Sequence, residues 1–568
     1  MCGIHVHVDF NCAVSCATQG IRRQNLSEQT ARLAKQKDAS WTQIHLSRRG
    51  PDGYGKVVQL TEHGVLLMFQ SSILQLRGQD RTLVPLLEDD SKNILAFNGE
   101  IFDHGGRQVS GSDSMWLFQQ LEQTKGNALK IEKLLSNIRG PWCLVFWHMQ
   151  TDRLWIAKDP FGRRSLLLCF SHSQKTFTIA SVVESNHDEL WTECPPGIYS
   201  IDTTSWHARE RKVTTRLKYP ALMSHTWCGD EVASTLFLFR RQLFHMKAFP
   251  EGAVDCTNPK MLLNSNIHIN GALWSCLDDA VQSRVLQVTH WHQKPHSAKS
   301  YFESSKAALT EAKFSVLFSG GIDSTVLCAL LHRNLQAGEI VDLCNVCFDN
   351  GNSPDRAAAL SAVQELKRAC PGRNWRLIEI DVSSIELSQM RRHIETLIRP
   401  CSSVMDFNIG AALWFSARGV GTINVEGVKH PYRTKSRIII SGQGADELFG
   451  GYSRHRAIFN SFGHVALEEC LRTDFLRLWR RNLSRDDRVI ADHGREARYP
   501  YLDEQFVHAA LRLPLRSLVD LSLPSGVGDK KCLRELASHF GLGNTSQRVK
   551  RAIQFGSRIS TMDKGIPE

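Results

Sequence analysis

Phe314-Ser-Val-Leu-Phe-Ser319-Gly-Gly-Ile-Asp-Ser324-Thr-Val-Leu decides how the C-terminal half of this chain is built. An apolar run enters a turn with two consecutive glycines and leaves it as a helical pattern, so a strand delivers the chain to a helix N-terminus. Glycines let the backbone approach a ligand closely, and successive N–H groups at a helix start face negative charge. Leu317, Ser319, Gly320, Gly321, Asp323 and Ser324 are therefore expected to form an anion cradle. Asp323 would repel phosphate unless it holds Mg²⁺, which takes carboxylate and phosphate oxygens together. The spacing is not the GxxxxGK[ST] of a Walker loop.

Working outward from the cradle, the runs FSVLF, EIVDLCNV, WRLIEID and SRIIIS alternate with helical stretches over residues 267–560. That alternation predicts a parallel sheet with crossover helices. Residues 2–205 have another texture: short β-like runs (GVLLMF, NILAFNGEIF, WCLVFW, RLWIAK, SLLLCF) alternate with turns, and residues 26–36 and 113–136 carry helical patterns. A layered α/β domain is expected there. Residues 206–266 have no clear period and form a linker or insertion between the domains, and 290–312 form a second, polar insertion.

Composition narrows the function classes. The 568 residues, 42% of them hydrophobic, suffice for two to four soluble domains. A net charge of +11 comes from scattered basic residues, which describes a solvated surface and no nucleic-acid partner. No apolar stretch is long enough to span a bilayer, and MCGIHVHVDF lacks the charged start and apolar middle of a secretory signal. A cytoplasmic (cytosolic) protein with no membrane partner is expected. Sixteen cysteines without regular spacing predict reduced thiols. Cys344 and Cys347 form a CxxC inside a strand pattern, where positions three apart point to opposite faces, so they are expected in the core and not on zinc.

The N-terminus offers a nucleophile. Removal of Met1 would leave Cys2 with both a thiol and a free α-amine, and an amine with a pKa of roughly 7.7–8.0 can take the thiol's proton without a distant histidine.

Cys2-Gly3-Ile4 at the start, with Ser319-Gly-Gly-Ile-Asp-Ser324 far downstream, resembles the glutamine-hydrolysing asparagine synthetase family. Its members join a glutaminase to an ATP-pyrophosphatase-type synthetase. The resemblance implies an α/β chain, with an N-terminal-nucleophile αββα glutaminase (a type 2, or class II, glutamine amidotransferase domain) followed by a Rossmann-like parallel-sheet PP-loop domain. Arg49-Gly50-Pro51-Asp52 matches the family RGPD, and the resemblance implies that Arg49 clamps the glutamine α-carboxylate. Asn98-Gly99-Glu100 matches NGE, with Asn98 and Gly99 as oxyanion donors and Glu100 beside the substrate. Gly111-Ser112-Asp113 matches GSD, whose Asp113 would take the α-ammonium. For Asp113 a helix cap is the alternative. Where the family has Arg-Leu-x-Ile between RGPD and NGE, this chain has Ser72-Ile73-Leu74-Gln75-Leu76-Arg77, so an altered glutamine pocket is expected. Lys158-Asp159-Pro160-Phe161-Gly162-Arg163-Arg164 is a structural turn between strands.

In the synthetase half, Asp355-Arg356-Ala357-Ala358 opens a helix after the second strand, as in the family. Ser441-Gly442-Gln443-Gly444-Ala445-Asp446-Glu447 with Gly450-Gly451-Tyr452 resembles SGEGxDExxGGY. Ser441 and Gly442 would line the nucleotide, and Asp446 the acyl-substrate and Mg²⁺ side. Asp487-Arg488 and Glu496-Ala497-Arg498-Tyr499-Pro500-Tyr501-Leu502-Asp503 resemble the DR…EARxPFLD stretch. Lys550 sits where the family places a lysine that meets the phosphates. The implied reaction turns L-aspartate, L-glutamine and ATP into L-asparagine, L-glutamate, AMP and pyrophosphate with Mg²⁺. Gln443 stands where the family carries a glutamate thought to assist proton removal, and a neutral amide is no base. The segment 398–405 also lacks a clean match to the aspartate pocket. Amidation of another carboxylate, or a non-catalytic scaffold, are the alternatives. A homodimer or a protein-complex partner stays open.

Overall fold

The computed structural model describes residues 2–10, 40–78, 84–171, 175–183, 190–203, 223–224, 266–286, 288 and 311–562. The helix expected at 26–36, most of the 206–266 segment and nearly all of the 290–312 insertion lie outside the described residues. The chain divides into two compact units. One holds Met1–Ala248, Arg399–Cys401 and Trp479–Gly494, and the other holds Phe249–Ile398, Ser402–Leu478 and Arg495–Glu568.

The first unit is built on two six-stranded sheets. Its strands are β1 (Cys2–Asp9), β2 (Gly53–Leu60), β3 (Leu66–Ile73), β4 (Leu86–Leu87), β5 (Ile94–Gly99), the short β6 (Asp103–His104), β7 (Arg107–Gln108) and β8 (Ile138–Arg139), then β9 (Trp142–His148), β10 (Arg153–Lys158), β11 (Leu167–Ser171), β12 (Thr176–Ala180), β13 (Trp191–Glu193), β14 (Gly197–Asp202) and β15 (Met223–Ser224). The orders are β13-β11-β12-β1-β3-β2 and β15-β14-β10-β9-β5-β4, with neighbouring strands antiparallel, while β7-β6-β8 form a small third sheet. Strand alternation sorts the apolar side chains between two cores. Ile4, Val6, Val8, Leu67 and Phe69 share one cluster with Ala96, Val145, Leu154 and Ile156. Leu95, Phe97, Leu144, Phe146 and Trp155 pack instead with Leu117, Leu121, Ile131 and Leu135. The latter come from two helices, Asp113–Gln123 and Ala128–Ser136. One helical pattern over 113–136 thus becomes two helices, because Lys125 and Gly126 take positive φ and Asn127 caps the next helix by accepting from Lys130 N at 3.1 Å.

A buried carboxylate completes this unit. Asp487, fully buried, accepts from Arg49 Nη2 at 2.7 Å and from Ser165 N at 3.1 Å, and lies 3.4 Å from Arg164 Nη1. Burial alone would push its carboxyl up, but Arg49 and Arg164 outweigh that and hold it below the usual carboxylate range. Next to it, Arg488 Nη1 donates to Glu193 Oε1 at 2.6 Å and to Ser165 Oγ at 2.9 Å. At the expected 158–164 turn, Asp159 accepts from Trp142 N, Phe161 N and Arg163 N and pairs with Arg163 Nε at 2.9 Å.

The second unit carries a seven-stranded sheet of order β20-β19-β18-β17-β16-β21-β22. Its strands are β16 (Phe314–Leu317), β17 (Ile340–Cys347), β18 (Asn374–Asp381), β19 (Val420–Val425), β20 (Val428–Arg433), β21 (Ile438–Ile440) and β22 (Glu496–Arg498). Five strands from β18 to β22 in that order are parallel, and β19–β20 add an antiparallel hairpin at one edge. The order grows from β16 in both directions, so the β16/β21 boundary is a topological switch point, where α/β sheets open a crevice beyond the strand ends. Cys344 and Cys347 are both buried in β17, and burial pushes the Cys344 thiol up to about 12. No described helix is long and apolar enough to cross a membrane.

Asp487→Asn keeps the shape and removes the charge that Arg49 and Arg164 face. Breaking a buried ion pair in this way costs roughly 3–5 kcal/mol, so the variant is expected to unfold at a clearly lower temperature in a calorimetric scan. An unchanged transition would show that the tie is dispensable.

Candidate active sites

Two groups of expected residues are brought together, one in each unit. In the first unit, Cys2 opens β1 opposite Ile73 of β3; its side chain lies outside the described residues. Two serines fix the backbone beside it. Ser72 Oγ accepts from Gly3 N at 3.0 Å and donates to Leu46 O at 2.6 Å, and Ser71 Oγ donates to Gly3 O at 3.0 Å. Asn98 and Gly99 end β5, and Asn98 is fully buried.

Past β5, Asp113 folds back over the Asn98-Gly99-Glu100 turn. Its Oδ2 accepts from Ile101 N at 3.0 Å and its Oδ1 from Ser114 N at 2.9 Å, while Ser112, not Asp113, is the N-cap of the helix. Arg77 comes from the stretch where the sequence departs from the family. Its Nη1 donates to Ile101 O at 2.6 Å and lies 3.5 Å from Glu100 Oε2 and 3.9 Å from Asp113 Oδ2, and its Nη2 donates to Val109 O.

The RGPD residues form a structural corner. Arg49, expected to clamp a substrate carboxylate, is 1% exposed and holds the resident carboxylate of Asp487. Asp52 Oδ2 accepts from Gln75 N at 2.8 Å and so anchors residues 72–78. The residues that sequence reasoning missed here are Ser71, Ser72, Arg77 as a partner of Glu100 and Asp113, and Asp487 as the owner of Arg49.

In the second unit the cradle lies at the switch point. Gly320 has φ +72, and a Cβ there would lie 2.4 Å from the Ala358 carbonyl carbon, so only glycine fits against the helix Pro354–Ala369. Gly321 caps the helix Ile322–Asn334. Ser319 Oγ accepts from Gly321 N at 3.3 Å, and Ser324 Oγ donates to Gly321 O at 3.2 Å. Leu317 ends β16 just before this turn. From the neighbouring strand β21, Ser441 Oγ accepts from Gln443 N at 3.4 Å, and a Cβ on Gly442 would lie 2.9 Å from Asp323 Cβ.

Four charges meet at this point. Lys530 Nζ lies 2.6 Å from Asp323 Oδ2 and 2.6 Å from Asp446 Oδ1, and Lys550 Nζ lies 2.7 Å from Asp446 Oδ2 and 3.7 Å from Asp323 Oδ2. Burial opposes ionisation at Asp446, yet the two lysines hold its carboxyl well below the usual range. Burial likewise opposes the charge on Lys550, and Asp446 with Asp323 raises it well above an ordinary lysine. Lys530 has φ +53, a conformation that costs a non-glycine residue roughly 1–3 kcal/mol and that concentrates at functional sites. It carried no signal in the sequence beyond a polar GDKK run. Asp323 and Asp446 converge on the Lys530 ammonium, and their carboxylate oxygens are donors of the kind that could hold Mg²⁺.

Two further acids are perturbed. Burial and Asp446 push the Glu447 carboxyl up to about 7, and Tyr452 Oη donates to its Oε1 at 2.6 Å. Burial pushes Asp355 up to about 7 against the pull of Lys550 and Arg551, with its carboxylate seated on Gly556. The C-terminal stretch closes on the cradle through Arg548, whose Nη1 donates to Gly320 O.

Among the described residues, His455, Cys470 and Asp474 have the spacing of metal ligands. Asp474 Oδ2 already takes His455 Nε2 at 2.8 Å and Arg454 Nη2 at 2.7 Å, while His455 Nδ1 accepts from Tyr452 N at 3.3 Å. That pattern assigns the ring proton to Nε2 and makes the group an ion-paired tie across the kink at Gly463, not a metal centre.

Comparisons with known proteins agree with both units. A glutamine amidotransferase domain model matches residues 72–187, and an asparagine synthase model matches 303–463 and 460–564. Together they define an asparagine synthase-like glutamine amidotransferase class. Asparagine synthetase domain-containing protein 1 of Mus musculus is 32% identical over 603 residues, covering 92% of this chain and 94% of that protein, and the Homo sapiens protein is 32% identical with 92% of each covered. Asparagine synthetase B [glutamine-hydrolyzing] of Escherichia coli (strain K12) is 22% identical over 92% of this chain and 80% of its own length. The chain belongs to the asparagine synthetase domain-containing protein 1 group of the asparagine synthetase family.

Asp355→Asn tests the electrostatics beside the cradle. A carboxyl raised in the fold binds more protons than in the unfolded chain between about pH 4 and pH 7, so the wild type loses stability as pH rises through that window. The neutral variant escapes this loss. Its gain in melting temperature is expected to be absent near pH 4, to grow toward pH 7 and to level off above it; an equal gain at every pH would reject the assignment.

Proposed function

We propose that the protein is a glutamine-dependent, ATP-consuming amidotransferase that converts L-aspartate, L-glutamine and ATP into L-asparagine, L-glutamate, AMP and pyrophosphate. The observation that carries this reading is the meeting of Lys530 and Lys550 with Asp323 and Asp446 beside the Ser319–Ser324 loop. A phosphate-binding turn alone binds nucleotide. A buried lysine, a half-buried one and two aspartates at its edge add compensation for charge developing on a departing group, which a reaction that releases pyrophosphate requires.

In this reading Ser319, Gly320, Gly321, Ser324, Ser441 and Gly442 line the nucleotide, and the aspartate β-carboxylate attacks its α-phosphorus. Lys530 and Lys550 turn from the aspartates onto the leaving pyrophosphate. Mg²⁺, held by Asp323 and Asp446, would supply further neutralisation of phosphate charge. An acyl-adenylate results, and ammonia displaces AMP from it. The ammonia arises in the other unit, where Cys2, freed of Met1, attacks the glutamine side-chain amide with its own α-amine as base, and Asn98 with the Gly99 N–H steadies the oxyanion. Ammonia must arrive unprotonated, since the ammonium ion is no nucleophile. Gln443, a neutral side chain where the family resemblance leads one to expect an acid, favours a second reading: the same chemistry on a different carboxylate.

The test is product analysis with glutamine, ATP, Mg²⁺ and aspartate. Glutamate, AMP and pyrophosphate are expected in equal amounts. Cys2→Ala should abolish the glutamine-dependent reaction and spare the ammonia-dependent one, and Lys530→Met should lower pyrophosphate release by roughly 10²- to 10³-fold, the usual effect of removing one charge-stabilising donor. Pyrophosphate with some other acid but not aspartate would select the second reading. None with any acid would reject both.

A further inference from the structure

A backbone cradle for anions needs its peptide planes turned one way, with N–H groups inward and carbonyls outward. A trans peptide is planar, so a grip on its carbonyl oxygen also aims the N–H of the following residue in the opposite direction. Two carbonyls of the turn after β16 are gripped by side chains from elsewhere in the unit. Phe318 O accepts from Asn345 Nδ2 at 2.9 Å, and Gly320 O accepts from Arg548 Nη1. The first grip aims the Ser319 N–H, which has no hydrogen bond among the described residues. Phe318 N, on the other side of the same residue, donates to Cys344 O at 2.9 Å, so β17 holds the entry to the cradle at two points.

Asn345 is buried in β17, and its amide has one possible orientation. Arg356 Nε donates to its Oδ1 at 2.7 Å, and a guanidinium can only donate. The amide oxygen therefore faces Arg356, and the NH₂ faces the carbonyls of Phe318 and, at 3.3 Å, Asp355. Arg356 is itself buried and held: Nη1 donates to Glu379 Oε2 at 3.1 Å and Nη2 to Asp381 Oδ1 at 2.9 Å, both acids being on β18, and Nη2 also donates to Asn345 O at 3.3 Å. Its backbone N–H is fixed by Ser353 Oγ at 3.2 Å. Contacts thus run from two carboxylates through a guanidinium and an amide to the first peptide of the cradle. We propose that Asn345 and Arg356 are positioning residues for polyphosphate binding, Arg356 setting the direction of the Asn345 amide and that amide setting the direction of the Ser319 N–H. The assignment rests on the nucleotide reading of the second unit. Asn345→Asp is the informative change, because it keeps the shape and the contact with Arg356 but turns lone pairs, in place of a donor, toward Phe318 O.

The experiment is calorimetric titration of the full chain with ATP and, separately, with inorganic pyrophosphate, both with Mg²⁺, alongside thermal melting. Asn345→Asp is expected to raise the Kd for ATP roughly tenfold, the size of effect that follows when a buried acceptor loses its donor. Pyrophosphate, which has neither base nor sugar, should lose the same factor, whereas damage confined to a base or sugar pocket would leave it untouched. Arg356→Lys keeps one donor for Asn345 Oδ1 and loses the fork, so its loss on both ligands should be smaller. If Asn345→Asp shows no cooperative melting, Arg356→Lys decides alone. Unchanged affinity in a folded variant, or a loss on ATP without one on pyrophosphate, overturns the assignment and leaves the nucleotide reading in place. An unaltered protein that binds ATP but not pyrophosphate does the same, and one that binds neither overturns both.

Discussion

A carboxylate removed from water must be met by positive charge, and in Asp487 that requirement sits at the centre of a unit. Desolvating one carboxylate costs several kcal/mol unless donors surround it. Asp487 finds Arg49, Arg164 and the Ser165 N–H. Those partners lie far from it in sequence, so residues 479–494 must join the N-terminal unit although the stretches on either side of them belong to the other one. The same pairing commits Arg49 to Asp487, and the RGPD segment is a corner that supports residues 72–78.

The second unit balances charge differently. Asp323, Asp446, Lys530 and Lys550 sum to zero, so the group is stable without a ligand. Each member is nonetheless of the type that a nucleotide and its metal would recruit. The ion pairs hold the two lysines and two aspartates in fixed positions, and for the proposed reaction such fixed placement is the condition for electrostatic preorganisation. The left-handed backbone at Lys530 shows that the surrounding fold forces this position against local preference.

Much of this was legible in the sequence because the signals were local. The apolar run into Ser-Gly-Gly announced β16 and the helix after it, and the strand runs of both halves fall on observed strands. The β19–β20 hairpin was missed, although Glu426 and Gly427, both at positive φ, are the two-residue turn that joins it. Asn98, Gly99, Asp113, Asp323, Asp446 and Lys550 could be singled out from short motifs. Lys530 and the Arg49–Asp487 pair could not, since a basic residue in a polar run looks the same whether it faces solvent or a buried acid. Partner choice between residues hundreds apart depends on the folded path of the chain, and no local pattern encodes it.

The placement of residues 479–494 has a consequence for biosynthesis. A chain is made from its N-terminus, and strands β1 to β14 leave the ribosome long before Asp487 exists. During that interval Arg49, Arg164 and the glutamate at 193 have no partners from the later segment, and the N-terminal unit stays an unfinished intermediate. Its completion waits until residues 479–494 have been made, so a product truncated before them yields no finished N-terminal unit.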